Sequence, residues 1–308
     1  MADQVEITIL VDNSVDIFLP SMDVVDYPVP GNASQLWAEQ GLSLWIEVSE
    51  KEDKLRIMYD FGRSRQVLHH NVKIVGLDLK ELDFLVLSHG HVDHYGCLPD
   101  LLEKTMRKCK LMVHPEALVK ERYIRLKDGS YVGPWKMSKR LLSEFASRIC
   151  SNREPTPLGY GVYLSGEIER KTPFETGMPN AFAKIEGQLV HDEIEDDQSL
   201  FIELGERGVI VLTGCCHAGL INTIYSAQRL LPGRTIYALI GGFHLNQAGE
   251  GQMKETIAYL LQSDIRYMSG FHCTGYHAQK ILMERFQSSW IPSTVGAKIR
   301  FSSQSISK

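Results

Sequence analysis

Apolar residues in this chain come in short bursts between turn-forming residues, a pattern that predicts strands more often than helices. The bursts VEITILVD (5–12), LSLWIEV (42–48), KLRIMYDFG (54–62) and LDFLVLSHG (82–90) predict four early strands. Within the last of them, Phe84, Leu85, Val86 and Leu87 form a continuous apolar run, as expected of a strand covered on both faces. LPDLLEKTM (98–106) then predicts a helix and KCKLMVHP (108–115) another strand, an order that implies a layered α/β architecture. Further strands are predicted at GVYLSGEI (161–168), SLFIELG (199–205), GVIVLTG (208–214) and TIYALIGG (235–242), with helices over 218–231 and 251–262. The final SSQSISK reads as a frayed tail.

Residues 115–155 break this rhythm and read as helical and loop-like. Between 119 and 153 there are nine Lys or Arg against three Asp or Glu, in a chain of net charge −5. The segment is therefore expected to form an inserted, helical, basic cap on a single domain spanning residues 1–308. A cleft lined with one sign of charge concentrates substrates of the other sign. Lys136, Lys139, Arg140 and Arg153 are accordingly expected to contact a substrate phosphate, against the alternative of a merely solvated face.

The mild net charge argues against a nucleic-acid partner. No apolar run reaches membrane-spanning length, and the start MADQVEITILVDN has no signal-peptide pattern. Six cysteines in 308 residues are too sparse for a disulfide scaffold, so reduced thiols and a cytoplasmic location are expected. A homo-oligomer is compatible with this composition.

The chemistry concentrates in LVLSHGHVDHYGCL (85–98), where His89, His91, Asp93 and His94 crowd the end of a predicted strand. Residues two apart at a strand end share a side, so His89 and His91 can face one cleft while Asp93 and His94 turn toward a neighbouring point. Four ligands this close in sequence suit two adjacent ions better than one, since zinc-type sites take three or four N, O or S ligands. Further ligands are expected where later strands end: VIVLTGCCH places His217, YALIGGFH places His244, and YMSGFH places His272 in the same relation to an apolar run. Cys216 and Cys273 adjoin these histidines and read first as small buried side chains.

HGHVDH resembles the His-x-His-x-Asp-His signature of the metallo-β-lactamase-fold superfamily, and YDFG (59–62) its preceding Asp-x-Gly strand end. The resemblance implies an αββα sandwich with a dinuclear site along one edge. EQGLSLWIEV, SGEIER, DDQSLFIELGERGVIVLTGCCHAGLINTI, ALIGGFHL and HCTG further resemble the subfamily of 7,8-dihydropterin-6-methyl-4-(β-D-ribofuranosyl)aminobenzene-5′-phosphate synthase-like proteins. Carried over, it implies His89, His91 and His217 on one metal and Asp93, His94 and His272 on the other, with Asp60 orienting a ligand from behind. Superfamily hydrolases also carry a metal-bridging Asp; this chain has Cys215, Cys216 and His217 where it is expected.

Two divalent ions are the expected cofactors, zinc first and iron or manganese next. Bound to such an ion, water has its pKa lowered to about 7 and becomes a nucleophile at neutral pH. The first expectation for function is a metallohydrolase of a small anionic substrate, a phosphoester in particular, with Asp93 and His244 as its catalytic residues and His244 as proton donor. The alternatives are a transferase joining a dihydropterin to a ribofuranosylaminobenzene 5′-phosphate, and a metal-stabilised binding or regulatory protein.

Overall fold

Alternating side chains in the strands serve two different cores, because successive residues of a strand point to opposite faces. In the strand Ser43–Glu50, Leu44, Ile46 and Val48 enter a central core while Trp45 enters an outer one. In Gly208–Thr213, Ile210 and Leu212 enter the same central core, and Val209 and Val211 a second outer one. The central core is thus the seam between two sheets, and each outer core lies under helices. Arg65–Val75 and Leu98–Lys104 cover the first sheet with Leu68, Val72, Leu98 and Leu101. Leu220–Leu230, Glu250–Gln262 and Tyr276–Phe286 cover the second with Ile221, Ile224, Leu260 and Leu282. These layers, seen in a computed structural model that describes residues 1–20, 22–29, 31 and 35–304, form the expected αββα sandwich.

The first sheet has eight strands, in the order Val25–Asp26, Lys298–Ser302, Gln4–Val11, Ser43–Glu50, Asp53–Tyr59, Phe84–Val86, Lys110–Val113 and Ile149–Ser151. The second has six, in the order Thr156–Gly159, Val162–Leu164, Leu200–Leu204, Gly208–Thr213, Ile236–Gly242 and Tyr267–Phe271. Asp53–Tyr59 pairs in parallel with Phe84–Val86, and Gly208–Thr213, Ile236–Gly242 and Tyr267–Phe271 run parallel in sequence. Their carboxyl ends share one edge of the sandwich, where open α/β sheets bind ligands.

The segment 115–155 departs from the helical cap predicted for it. Only Pro115–Val119 and Lys139–Glu144 are α-helical there, and Ile149–Ser151 is the edge strand of the first sheet. Glu121–Arg125 and Tyr131–Trp135 form a hairpin that joins a second hairpin, Ala181–Ile185 with Gln188–His191, in a four-stranded sheet. Tyr123, Ile124, Tyr131, Val132 and Trp135 are β-branched or aromatic and favour strands. Asp128-Gly129, with Gly129 at φ 85°, makes the turn between them. Of the predicted tail, Ser302 closes the strand Lys298–Ser302, and residues 305–308 lie outside the described residues. Among the described residues no helix is long and apolar enough to cross a membrane.

Candidate metal centre

Five strand ends deliver the site. Asp60 follows Asp53–Tyr59; His89, His91, Asp93 and His94 follow Phe84–Val86; His217, His244 and His272 follow the three parallel strands of the second sheet. Asp60, His244 and His272 sit at φ 58°, 47° and 51°, a left-handed backbone that costs non-glycine residues energy. Each stands one or two residues past the end of its strand, at the sheet edge.

One group of nitrogens centres on His89. Its Nε2 lies 2.9 Å from His91 Nδ1 and 3.2 Å from His217 Nε2. One N–H cannot serve three mutually facing ring nitrogens, whereas a cation can accept all three lone pairs. Nitrogens about 2.0–2.1 Å from a tetrahedral ion stand roughly 3.3 Å apart, close to these spacings. Burial and the nearby Arg122 guanidinium hold His91 down at about 4, and burial with neighbouring imidazoles keeps His89 and His217 well below the usual histidine value. All three are thus neutral, the form that ligates.

The second group centres on His94. Its Nε2 lies 3.1 Å from His272 Nε2, and Asp93 Oδ2 lies 3.7 Å from the same His272 nitrogen. Behind it, fully buried Asp60 accepts from His94 Nδ1 at 2.6 Å and from Ser88 N and Oγ, both at 2.7 Å. Ser88 Oγ spends its only proton on Asp60, so it accepts from His89 Nδ1 at 2.8 Å. One carboxylate therefore fixes the tautomer of both His94 and His89 and turns each Nε2 toward its group. Burial alone would lower His94, but the Asp60 carboxylate outweighs it and lifts the metal-free imidazole to about 9. Asp12 Oδ1, accepting from His272 N at 3.0 Å, and Asn13 Nδ2, donating to His272 O at 3.0 Å, pin the last strand end.

Residues 38–246 match the sequence profile of the Metallo-beta-lactamase superfamily. The chain belongs to that superfamily. It is 30% identical to the 7,8-dihydropterin-6-methyl-4-(beta-D-ribofuranosyl)-aminobenzene-5'-phosphate synthase of Methanocaldococcus jannaschii over 295 residues, covering 94% of this chain and 98% of the relative. An uncharacterized protein of the same archaeon, MJ0448, is 28% identical over 79% of this chain and 87% of its own length. Among solved structures, Tm1679, a metal-dependent hydrolase of the beta-lactamase superfamily, superposes with TM-score 0.73 at 23% identity, covering 97% of this chain and 99% of that one.

As in a metallo-β-lactamase-fold protein that binds metal, the donors here fit divalent ions: imidazoles, a carboxylate and a buried thiol converge within ligand distance of one another. Asp93 is the only carboxylate in these ligand sets among the described residues, and it belongs to the His94 and His272 set alone. His244, partly buried, holds its ring 4.3 Å from that of His217, tilted by 54°, and shares a third set with His217 and Cys215.

Sequence reasoning missed the acids that brace the loop. Asp196 Oδ2 accepts from Gly90 N at 2.8 Å and also pairs with buried Arg122, whose Nε donates to Asp192 Oδ2 at 2.8 Å. A Cβ at Gly90 would lie 1.9 Å from Arg122 Nη1, so only glycine lets the guanidinium pass beneath the loop. Asp197 Oδ2 accepts from Ala218 N at 2.9 Å, immediately after His217. The run EIEDDQ (193–198) was the available signal, since acids ahead of a buried strand require partners.

A cavity of about 490 Å³ opens over the histidines and includes His91, Asp93, Cys215, His217, His244 and His272 in its lining. Its far wall, Ile124, Leu126, Val132, Trp135 and Met178, comes largely from the hairpin that had been expected to be helical. Amide side chains of Asn13, Gln40, Asn180, Asn246 and Gln247 lie around it. Lys136, Lys139, Arg140 and Arg153, from which phosphate contacts were expected, do not line it. Trp135 faces the cavity, so its strand neighbour Lys136 turns away, 3.8 Å from Glu121. Arg140 is exposed beside Glu144, Arg153 pairs with Glu116 and Glu167, and Lys139 is exposed. The lysine or arginine that does line the cavity, alone among the described residues, is Arg63, three residues past Asp60.

Proposed function

We propose that the chain is a metal-dependent transferase that joins a dihydropterin to an aminobenzene carrying a ribose phosphate, the activity in the name of its Methanocaldococcus jannaschii relative. The observation that carries this reading is the cavity wall. A tryptophan with four aliphatic side chains, ringed by five amides and one arginine, suits flat heteroaromatic rings with hydrogen-bonding edges and one anionic group. A site built around a phosphoester alone would need more cations than Arg63 and less apolar surface. That comparison reverses the order in which the sequence suggested the two chemistries.

In this reading two divalent ions are held, one by His89, His91 and His217 and the other by Asp93, His94 and His272. Bound there, they would supply Lewis-acid polarisation of substrate oxygens. Trp135 offers a face for ring stacking, and Arg63 anchors the phosphate. The new bond forms to the pterin methylene carbon as its leaving group departs, and the aryl partner gives up a proton. His244, which lines the cavity and whose Nδ1 has no hydrogen-bond partner, is the group placed to take that proton.

The test is to incubate the metal-loaded protein with the 6-methyl-activated dihydropterin and the aryl ribose phosphate, and follow the coupled product by mass spectrometry. Product that disappears on chelation supports the reading. The second reading, a phosphoesterase, rests on the paired ligand groups. Turnover of phosphoesters with no coupled product would replace the transferase with it.

A further inference from the structure

The two nitrogen groups are joined by a sulfur. Cys215 follows the strand Gly208–Thr213 after one glycine and is 4% exposed. Its Sγ lies 3.1 Å from His94 Nε2. It shares one set of ligand atoms with His89 and His94, another with His272 and Cys273, and a third with His217 and His244, each set lying within 4.8 Å. Cys215 is therefore common to residues of both groups, whereas Asp93 belongs to one. A nitrogen and a sulfur on the same tetrahedral ion stand roughly 3.5 Å apart, so the contact with His94 has the spacing of two ligands of one ion.

Its neighbour takes no part. Cys216 has φ 65°, which turns its side chain the other way; its Sγ lies 3.2 Å from Thr223 Oγ1 and it packs in the outer helical core. The adjacent cysteines thus divide, one toward the metals and one into the fold. Cys273 Sγ donates to the Cys215 carbonyl at 3.3 Å.

We infer that Cys215 is a metal ligand shared by both positions, a thiolate where no carboxylate spans the two groups. The inference rests on metal occupying the histidine cluster. Ligation breaks the S–H bond: the sulfur lone pairs go to the ions and the proton goes to solvent. A thiolate at the centre would also shift the preference toward zinc or iron and away from manganese.

The test uses the full chain stripped of metal and titrated with Co(II). Wild type should develop a near-ultraviolet thiolate-to-cobalt charge-transfer band that grows through both equivalents. Cys215→Ser should lose it, and Cys216→Ser should keep it. A band that survives in Cys215→Ser, or one complete at the first equivalent, would overturn the inference. Should Cys215→Ser fail to fold, X-ray absorption on zinc-loaded Cys273→Ser decides. Every zinc sees a sulfur if Cys215 is shared; sulfur on half of the zincs, or on none, overturns it. A wild type that takes up no metal refutes the metal reading as well, whereas two bound ions without sulfur refute this inference alone.

Discussion

Replacing Asp60 by Asn probes the centre without touching a ligand. Asparagine keeps the volume of the fully buried side chain, but one of its two polar ends becomes a donor. Asp60 receives three donors, Ser88 N, Ser88 Oγ and His94 Nδ1, so either orientation of the amide sets a donor against a donor. A buried unsatisfied group costs about 1–3 kcal/mol, which a core of this extent tolerates, so the fold should persist. The larger effect should fall on metal. Losing a partner that orients a ligating imidazole typically weakens affinity 10–100-fold, or about 1.4–2.8 kcal/mol. The loss should be unequal, because Asp60 holds His94 directly and His89 only through Ser88. Competition against a chromophoric chelator would yield both constants, and Asp93→Ala, which removes a ligand of the His94 position, would show which is which. Unchanged constants, or a greater loss at the His89 position, would refute the relay from Asp60 through Ser88.

Three further outcomes are expected. Arg63→Ala should raise KM for phosphate-bearing substrates and Ki for inorganic phosphate roughly 10–100-fold, matching about 1.5–3 kcal/mol for a charged hydrogen bond, and spare neutral substrates; a KM that responds instead to neutralising Lys136, Lys139, Arg140 and Arg153 would return the phosphate to those four side chains. His244→Ala should lower turnover about 10²–10⁴-fold with metal content near normal, and loss of an ion by metal analysis would make it a ligand. Asp192 is buried, which alone would raise its pKa, yet Arg122 and Lys120 hold it well below the usual carboxylate value. A depressed folded pKa gives stability that is present above the unfolded value, near 3.9, and lost as pH falls further. Urea midpoints of wild type should therefore fall more steeply in acid than those of Asp192→Asn, and parallel curves would show that the ion pair contributes nothing to acid stability.

The sandwich was legible because its signal is local. The runs ILV (9–11) within VEITILVD and VIVL (209–212) within GVIVLTG are continuously apolar, and such runs mark strands covered on both faces. The His-x-His-x-Asp-His loop was equally plain, since its donors are adjacent in sequence. The hairpin over the cavity was not. Lys120, Arg122, Arg125 and Lys127 make the segment strongly basic and mask the turn at Asp128-Gly129. Two of those charges are structural: Lys120 and Arg122 pair with Asp192, and Lys120 also with Glu116 and Glu195. Glu116 is a local i,i+4 partner, but Asp192 lies about seventy residues away in sequence, and no local pattern announces it.

The same separation explains why Arg63 does not stand out in the sequence. A basic run invites a phosphate, but the charge that reaches a substrate is set by which strand end it follows. Arg63 sits in the turn after Asp60, where the backbone passes through the left-handed region and leaves the sheet beside Gly41 and Gly96. At Gly96 an added Cβ would come within 2.1 Å of the Arg63 carbonyl, so the loop bearing the metal ligands packs directly on the backbone of the cavity's cation. The proposed substrate anchor and the loop of candidate metal ligands are therefore one mechanical unit. A substitution at Gly96 should disturb phosphate binding and metal affinity together, whereas Arg63→Ala should disturb only the first.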